Sequence, residues 1–257
     1  MKQTSMRVLL VDNSKPDCAI FTPKLERALR DHADVTRAAS RTEVVASLEE
    51  HHWDAVVLSG SSLNMSQSLS AAALAKDLMV LLRCTDVPIL GVCFGMQLMA
   101  VAYGGEVARL DEARQGTFEL TADGPLASGR IEAFFHHQDA VVEAPPRFAI
   151  DAVDAGTQMI VGMHSTELLR YGVQYHPECS TGSAADTLRR FLACAAMQSV
   201  RVSGGLTLPA STCDRVALGV ARNGVHRTAR THRLSVDVVL YAWTAFRERL
   251  HIPAMLI

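Results

Sequence analysis

Gly91-Val92-Cys93-Phe94-Gly95-Met96-Gln97 sets one cysteine between two glycines, where an apolar run, Val87-Pro88-Ile89-Leu90, gives way to a helix-forming segment. A nucleophile on such a strand-to-helix turn takes a strained backbone conformation, and side chains two residues to either side would collide with neighbouring strands. The helix expected from Phe94 to Tyr103 points its amino end at the sulfur, and its free N–H groups favour thiolate over thiol. Alone, the pattern equally fits a small apolar residue at a tight turn. His176-Pro177-Glu178 changes that balance, because it follows a second apolar strand, Arg170 to Tyr175, so that the histidine emerges at a strand end. A Cys–His pair needs a base that takes the thiol proton and a group that holds the imidazole, and Glu178 is two residues from His176.

Pro88-Ile89-Leu90-Gly91-Val92-Cys93-Phe94-Gly95-Met96-Gln97 and Tyr171-Gly172-Val173-Gln174-Tyr175-His176-Pro177-Glu178 resemble the class I (triad) glutamine amidotransferases, with similarity running from about Arg7 to Met197. In that family a cysteine attacks the side-chain amide of glutamine, ammonia leaves, and water hydrolyses the γ-glutamyl thioester. The resemblance implies Cys93 as nucleophile, His176 as base and then acid, and Glu178 as the group that orients it. Tetrahedral oxyanions need N–H donors near the sulfur. The Phe94 N–H is the expected first donor, and the second is expected from the loop after the third strand, at Gly60 and Ser61. There the sequence departs from the family, since Ser61 and Ser62 stand where a second Gly and a Pro are more usual. If position 61 needs positive φ, serine carries a conformational cost and the oxyanion hole forms only when a ligand or partner arranges it.

The resemblance further implies that Gln97 contacts substrate and that the His136-His137-Gln138-Asp139 loop receives the amino-acid end of glutamine. His137, Gln138 and Asp139 are therefore expected at the substrate. The His137/Asp139 spacing is similar to that of GMP synthetase glutaminase domains. Two adjacent histidines also suggest a metal, but no further ligand stands at zinc-like spacing, so no metal is expected, and this chemistry requires no separate cofactor.

Apolar runs alternate with helix-period segments. Strands are expected at Val8 to Val11, Asp34 to Arg37, Ala55 to Leu58 and Ile89 to Val92, with helices at about Pro23 to Asp31, Thr42 to Glu50 and Ser68 to Arg83. That order predicts an α/β fold of flavodoxin-like type, a mostly parallel doubly wound sheet with helices on both faces. From Gly105 to Val153 the pattern breaks into short strand-like pieces, such as Gly116 to Leu120 and Ile131 to Phe135, which predicts a small antiparallel excursion. Ala184 to Met197 reads as a closing helix.

Residues 1–198 form the expected amidotransferase domain, and 199–257 an extension that carries eight arginines, no lysine and three acidic residues. Within it Val236 to Leu250 could form an amphipathic helix bearing Trp243 and Phe246.

At 257 residues, 49% hydrophobic, the chain can bury a full core as one domain. A net charge of −2 and the lack of long basic runs give no electrostatic case for nucleic acid or an anionic membrane. No apolar run approaches a membrane span or a signal segment, so the expected location is cytoplasmic. Six cysteines without paired spacing suggest reduced thiols.

No nucleotide-binding signature is present, so an acceptor would be activated by a separate synthetase subunit. The preferred reading is a glutaminase subunit that hydrolyses glutamine and supplies ammonia to that partner. One alternative is a stand-alone γ-glutamyl peptidase or hydrolase acting on another γ-glutamyl substrate; another is a regulatory protein on an inactive amidotransferase scaffold.

Overall fold

The computed structural model describes residues 6–15, 20–67 and 71–202. The proposed helix at Val236 to Leu250, and Cys18 and Cys213, lie outside the described residues. Three short strands, β1 (Arg7–Val11), β3 (Ala55–Leu58) and β4 (Ile89–Val92), apolar apart from Arg7, lie side by side in one nine-stranded sheet. Side chains alternate across it. Leu9, Val56 and Ile89 pack with residues of α2 (Arg41–Glu50), α3 (Ala71–Arg83) and α4 (Phe94–Ala102) on one face. Val8, Val57 and Leu90 pack with α1 (Phe21–Arg30) and α6 (Thr187–Val202) on the other. Burial on both faces explains why these strands read as unbroken apolar runs rather than as alternating ones. Helix α2 begins on a full capping box, Ser40 with Glu43. Helix α6 runs to Val202, past the boundary expected at 198.

The α/β expectation holds, but the sheet is mixed rather than mostly parallel. β2 (Asp34–Ala38), β1, β3, β4 and β9 (Arg170–Val173) pair in parallel, while the other pairings are antiparallel. The expected small excursion is two long strands, β5 (Glu106–Asp123) and β6 (Ser128–Glu143), followed by β7 (Ala149–Val153) and β8 (Ile160–Ser165). Pairings β8–β6, β6–β5, β5–β7 and β7–β8 close these four into a ring. Glycines and exposed polar residues broke the pattern into short pieces, yet a strand with one wet face tolerates them.

Three features position the site. β1 is flanked by β2 on one side and β3 on the other, so the chain reverses its winding there and opens a crevice at the strands' carboxyl ends. Between Arg109 and Arg114 the β5–β6 register shifts, so that β5 bulges opposite His137 to Asp139. Arg170, 1% exposed, locks β9 in place. It donates to the Cys84 carbonyl at 2.7 Å, just past α3, to the Val87 carbonyl at 3.0 Å, and to the Tyr103 hydroxyl at 2.9 Å. These carbonyls supply the negative partial charge that a buried guanidinium needs.

Candidate active site

Cys93 occupies the turn between β4 and α4 at φ 53°, ψ −109°, a positive φ that a non-glycine residue adopts only under constraint. The constraint comes from both sides. The Cys93 N–H donates to the Val173 carbonyl at 2.8 Å, and its own carbonyl accepts from the N–H groups of Met96 and Gln97. A Cβ at Gly91 would lie 2.5 Å from the Gly95 carbonyl, and one at Gly95 would lie 2.4 Å from the Leu58 carbonyl. The two glycines are therefore required by close backbone approach. Phe94 is the first residue of α4, where a helical N–H has no internal acceptor.

His176 leaves β9 through Gln174 and Tyr175 and is 2% exposed. Its N–H donates to the Phe134 carbonyl at 2.8 Å, and its ring Nδ1 lies 2.8 Å from Glu178 Oε1. Pro177 to Cys179 form a 3-10 turn that folds Glu178 back under the imidazole. Burial pulls the imidazole's proton affinity down, but attraction and hydrogen bonding to the Cys93 sulfur, and then to Glu178, outweigh it and raise the His176 pKa to about 10. Phe21, from α1, stacks on the His176 ring with centroids 4.2 Å apart. Nothing in spacing or composition marked Phe21, since one aromatic at the start of a helix is ordinary core material.

The loop after β3 runs against both side chains. A Cβ at Gly60 would lie 3.1 Å from His176 Cε1 and 3.6 Å from Cys93 Cβ. Ser61 is not among the positive-φ residues, so the conformational cost expected for a serine there does not arise. Its hydroxyl instead accepts the Leu63 N–H at 3.1 Å. The loop is tied beneath by a buried polar group: Asn13, following β1, donates its side-chain N–H to Asp77 of α3 at 2.8 Å.

Asp77 is fully buried, and burial raises its pKa to about 6 despite the Asn13 bond and the Lys76 charge. A carboxyl whose folded pKa lies above its unfolded value of 3.8 gives stability below pH 4 that is lost as pH rises through 6. Asp77→Asn keeps an acceptor opposite Asn13 without the buried charge. It is expected to match the wild-type protein near pH 4 and to exceed it above pH 6, by roughly 3 kcal/mol. Urea unfolding at pH 4 and pH 8 measures this, and equal stability at both values would refute the assignment.

The β6 residues expected at the substrate, His137, Gln138 and Asp139, stand along the cleft with distinct tasks. Asp139, 2% exposed, accepts from the Ser66 N–H at 2.6 Å and hydroxyl at 2.8 Å, so its carboxylate clamps the far end of the β3 loop. Gln97 donates its amide to the Asp139 carbonyl at 2.6 Å and to Gln174 at 3.1 Å. Gln138 accepts from Arg109 at 2.7 Å. His137 has Nδ1 2.9 Å from the Asp139 carbonyl and a buried, unpartnered Nε2; burial drops its pKa to about 4, so it is neutral at pH 7.

These groups surround a cleft of about 250 Å³. Of the ten residues expected from the sequence, Gly60, Ser61, Cys93, Gln97, His137, Gln138, Asp139 and His176 line it, while Phe94 and Glu178 stand behind that lining. Ser14, Phe21, Thr22 and Arg114 join them and were not expected. A thiol beside an imidazole that is braced by a carboxylate, opening on a cleft below the ~300–1,000 Å³ range of drug-sized pockets, suits acyl transfer on a small substrate. Among the described residues no group of three or more His, Cys, Asp or Glu is arranged to hold a metal ion, and no helix is long and apolar enough to cross a membrane.

Residues 16–194 match the family model described as glutamine amidotransferase class-I. The chain is 36% identical over 113 residues to a GMP synthase of Thermus thermophilus, a match covering 42% of this chain and 22% of that protein. The chain thus spans about a fifth of that relative's length. It is 29% identical over 197 residues to anthranilate synthase component II of Haloarcula marismortui, covering 73% of this chain and 92% of that protein. Among solved structures, a Thermoplasma acidophilum protein described as a GMP synthase subunit superposes with a TM-score of 0.65 at 23% identity. That likeness covers 77% of this chain and 98% of the other, and at such identity it is one of fold.

Proposed function

The chain belongs to the class-I glutamine amidotransferases, and we propose that it hydrolyses the side-chain amide of glutamine through a thioester on Cys93, delivering ammonia to a synthetase on a separate chain. The observation that carries this reading is the Cys93–His176–Glu178 cluster at a small polar cleft. Cys93 sulfur attacks the amide carbon, and the oxyanion takes hydrogen bonds from the Phe94 and Ser61 N–H groups. His176, protonated through its pairing with Cys93 and Glu178, gives its proton to the departing nitrogen, so ammonia leaves and the thioester remains. Water then enters, His176 takes its proton, and the second oxyanion collapses to glutamate and the free thiol. Gln97 and the His137–Asp139 segment shape the pocket for the amino-acid end.

Residues 1–198 are taken as the catalytic domain and 199–257 as an extension. The separate partner is supported by the near-complete overlap with a protein named as a synthase component. Free thiols at Cys84, Cys93, Cys179 and Cys194 suit a reducing, cytoplasmic setting.

The test compares glutamate release from glutamine and from γ-glutamyl dipeptides by the purified protein and its Cys93→Ala variant. Turnover of glutamine is expected to vanish in Cys93→Ala while the fold is kept, and retained turnover would remove the central role of Cys93. Faster cleavage of the dipeptides than of glutamine would replace the glutaminase reading with a self-sufficient γ-glutamyl hydrolase.

A further inference from the structure

The second oxyanion donor depends on which way one peptide plane faces. The Gly60–Ser61 peptide is trans, so its carbonyl and its N–H point in opposite directions. The Gly60 carbonyl accepts a hydrogen bond from the Ser59 hydroxyl at 3.0 Å, on the buried side of the loop. Gly60 and Ser61 both line the cleft, so with the carbonyl turned to the buried Ser59 the Ser61 N–H is the end of that peptide left to face it.

The Ser59 hydroxyl has one proton and two lone pairs. Its oxygen accepts the Asn13 N–H at 2.8 Å and lies 3.4 Å from the Thr22 hydroxyl, which donates to it. With both lone pairs engaged, its proton is committed to the Gly60 carbonyl. Ser59 is 0% exposed, Thr22 1% and Asn13 6%, so water does not compete for these bonds. Asn13 is fixed in turn, because its side-chain N–H groups go to Asp77 at 2.8 Å and to the Ser59 carbonyl at 3.3 Å.

We propose that Ser59 is a positioning residue for the reaction: its hydroxyl, oriented by Asn13 and Thr22, latches the Gly60–Ser61 peptide with the Ser61 N–H toward the cleft, so that the oxyanion hole is formed before substrate binds. The inference rests on the reading of Cys93 as a nucleophile toward γ-glutamyl amides. It accounts for the absence of a glycine at position 61: the peptide is held by a hydroxyl from below, and Ser61 needs no positive φ. The Asp139 clamp on Ser66 holds the loop's other end, which leaves the hydroxyl to set the peptide that matters.

Ser59→Ala removes the latch and leaves the Gly60 carbonyl free to turn into the cleft. Loss of one oxyanion donor lowers kcat about 10²–10³-fold in enzymes where it has been removed; a donor that is misaligned only part of the time is expected to cost about 10- to 100-fold. KM for glutamine should stay within about threefold, since the ground-state amide draws little on the hole. Alkylation of Cys93 by iodoacetamide passes through no oxyanion and should proceed at the wild-type rate. Ser59→Thr, which keeps the hydroxyl, should recover most of the lost kcat.

Unchanged kcat in Ser59→Ala would overturn the latch, and so would equal losses in turnover and alkylation, which mark general damage to the site. Wild-type turnover that survives Cys93→Ala would instead overturn the functional reading. The peptide itself is read independently of activity from crystal structures of the wild-type and Ser59→Ala proteins. The Gly60 carbonyl is expected to face Ser59 in the first and the cleft in the second; an unturned peptide in the variant overturns the latch.

Discussion

Replacing His176 with alanine is expected to lower kcat for glutamine hydrolysis about 10⁴-fold, the upper range for loss of a positioned general acid–base group. On the proposed mechanism the same residue should set the alkaline limit of activity. Its pKa of about 10 means that the imidazole keeps its proton through the neutral range and loses it only as pH passes that value. On the proposed mechanism the acid needed to expel ammonia disappears there, so kcat/KM for glutamine should fall near pH 10. In His176→Ala that fall should be absent. The stability linkage has the matching sign. A histidine whose folded pKa is raised from 6.5 stabilises the folded state fully below pH 6.5, and that contribution is lost as pH rises toward 10. Glutamate release measured from pH 6 to 10.5 decides the matter: a variant within tenfold of wild type, or one that keeps the alkaline fall, would show that another group carries the proton. Glu178→Ala should be milder, because in the proposed mechanism Glu178, 2.8 Å from the ring Nδ1, orients the imidazole and takes no part in the transfer.

The proximity of Cys93, His176 and Glu178, on which the proposed triad rests, was legible in the sequence because short, rigid segments bring the three together. Cys93 is framed by two glycines that backbone contact demands, and Glu178 reaches His176 through a turn of three residues. The strands β1, β3 and β4 were legible for a related reason, since from Val8, Ala55 and Ile89 onward they are buried on both faces and must be free of polar side chains. The β5–β6 hairpin was not. Its strands are 18 and 16 residues long with mostly exposed or half-buried positions, and the bulge before Arg114 leaves no periodic signature. Equally hidden were Phe21 and Asn13, whose roles depend on what the fold brings against them from residues 46 to 155 positions away. At Ser61 the residue type alone suggests a conformational cost, by analogy with loops that place glycine there. Its conformation depends on a hydrogen bond made by its neighbour, which type alone does not show.

The elbow glycines give the second large effect. Gly95→Ala would place a methyl 2.4 Å from the Leu58 carbonyl oxygen and 2.9 Å from its Cβ, on a central strand paired on both sides. Neither α4 nor β3 can withdraw by the roughly 1 Å required without breaking the ladder or lifting Cys93 from its turn. Overpacking of ordinary side chains costs about 1–3 kcal/mol, and here the obstacle is backbone, so at least ~3 kcal/mol is expected. For a domain of this size that corresponds to a fall in Tm of roughly 10 °C. Gly129→Ala is the control: Gly129, the second residue of β6, adopts φ +78°, and an added Cβ there meets nothing within 4 Å. Its cost is the left-handed conformation alone, about 1 kcal/mol, or roughly 3 °C. Thermal unfolding of the two variants beside wild type separates steric closure at the elbow from conformational strain. If Gly95→Ala melts no lower than Gly129→Ala, the elbow is not closed by Leu58, and Cys93 needs some other constraint to hold its positive φ.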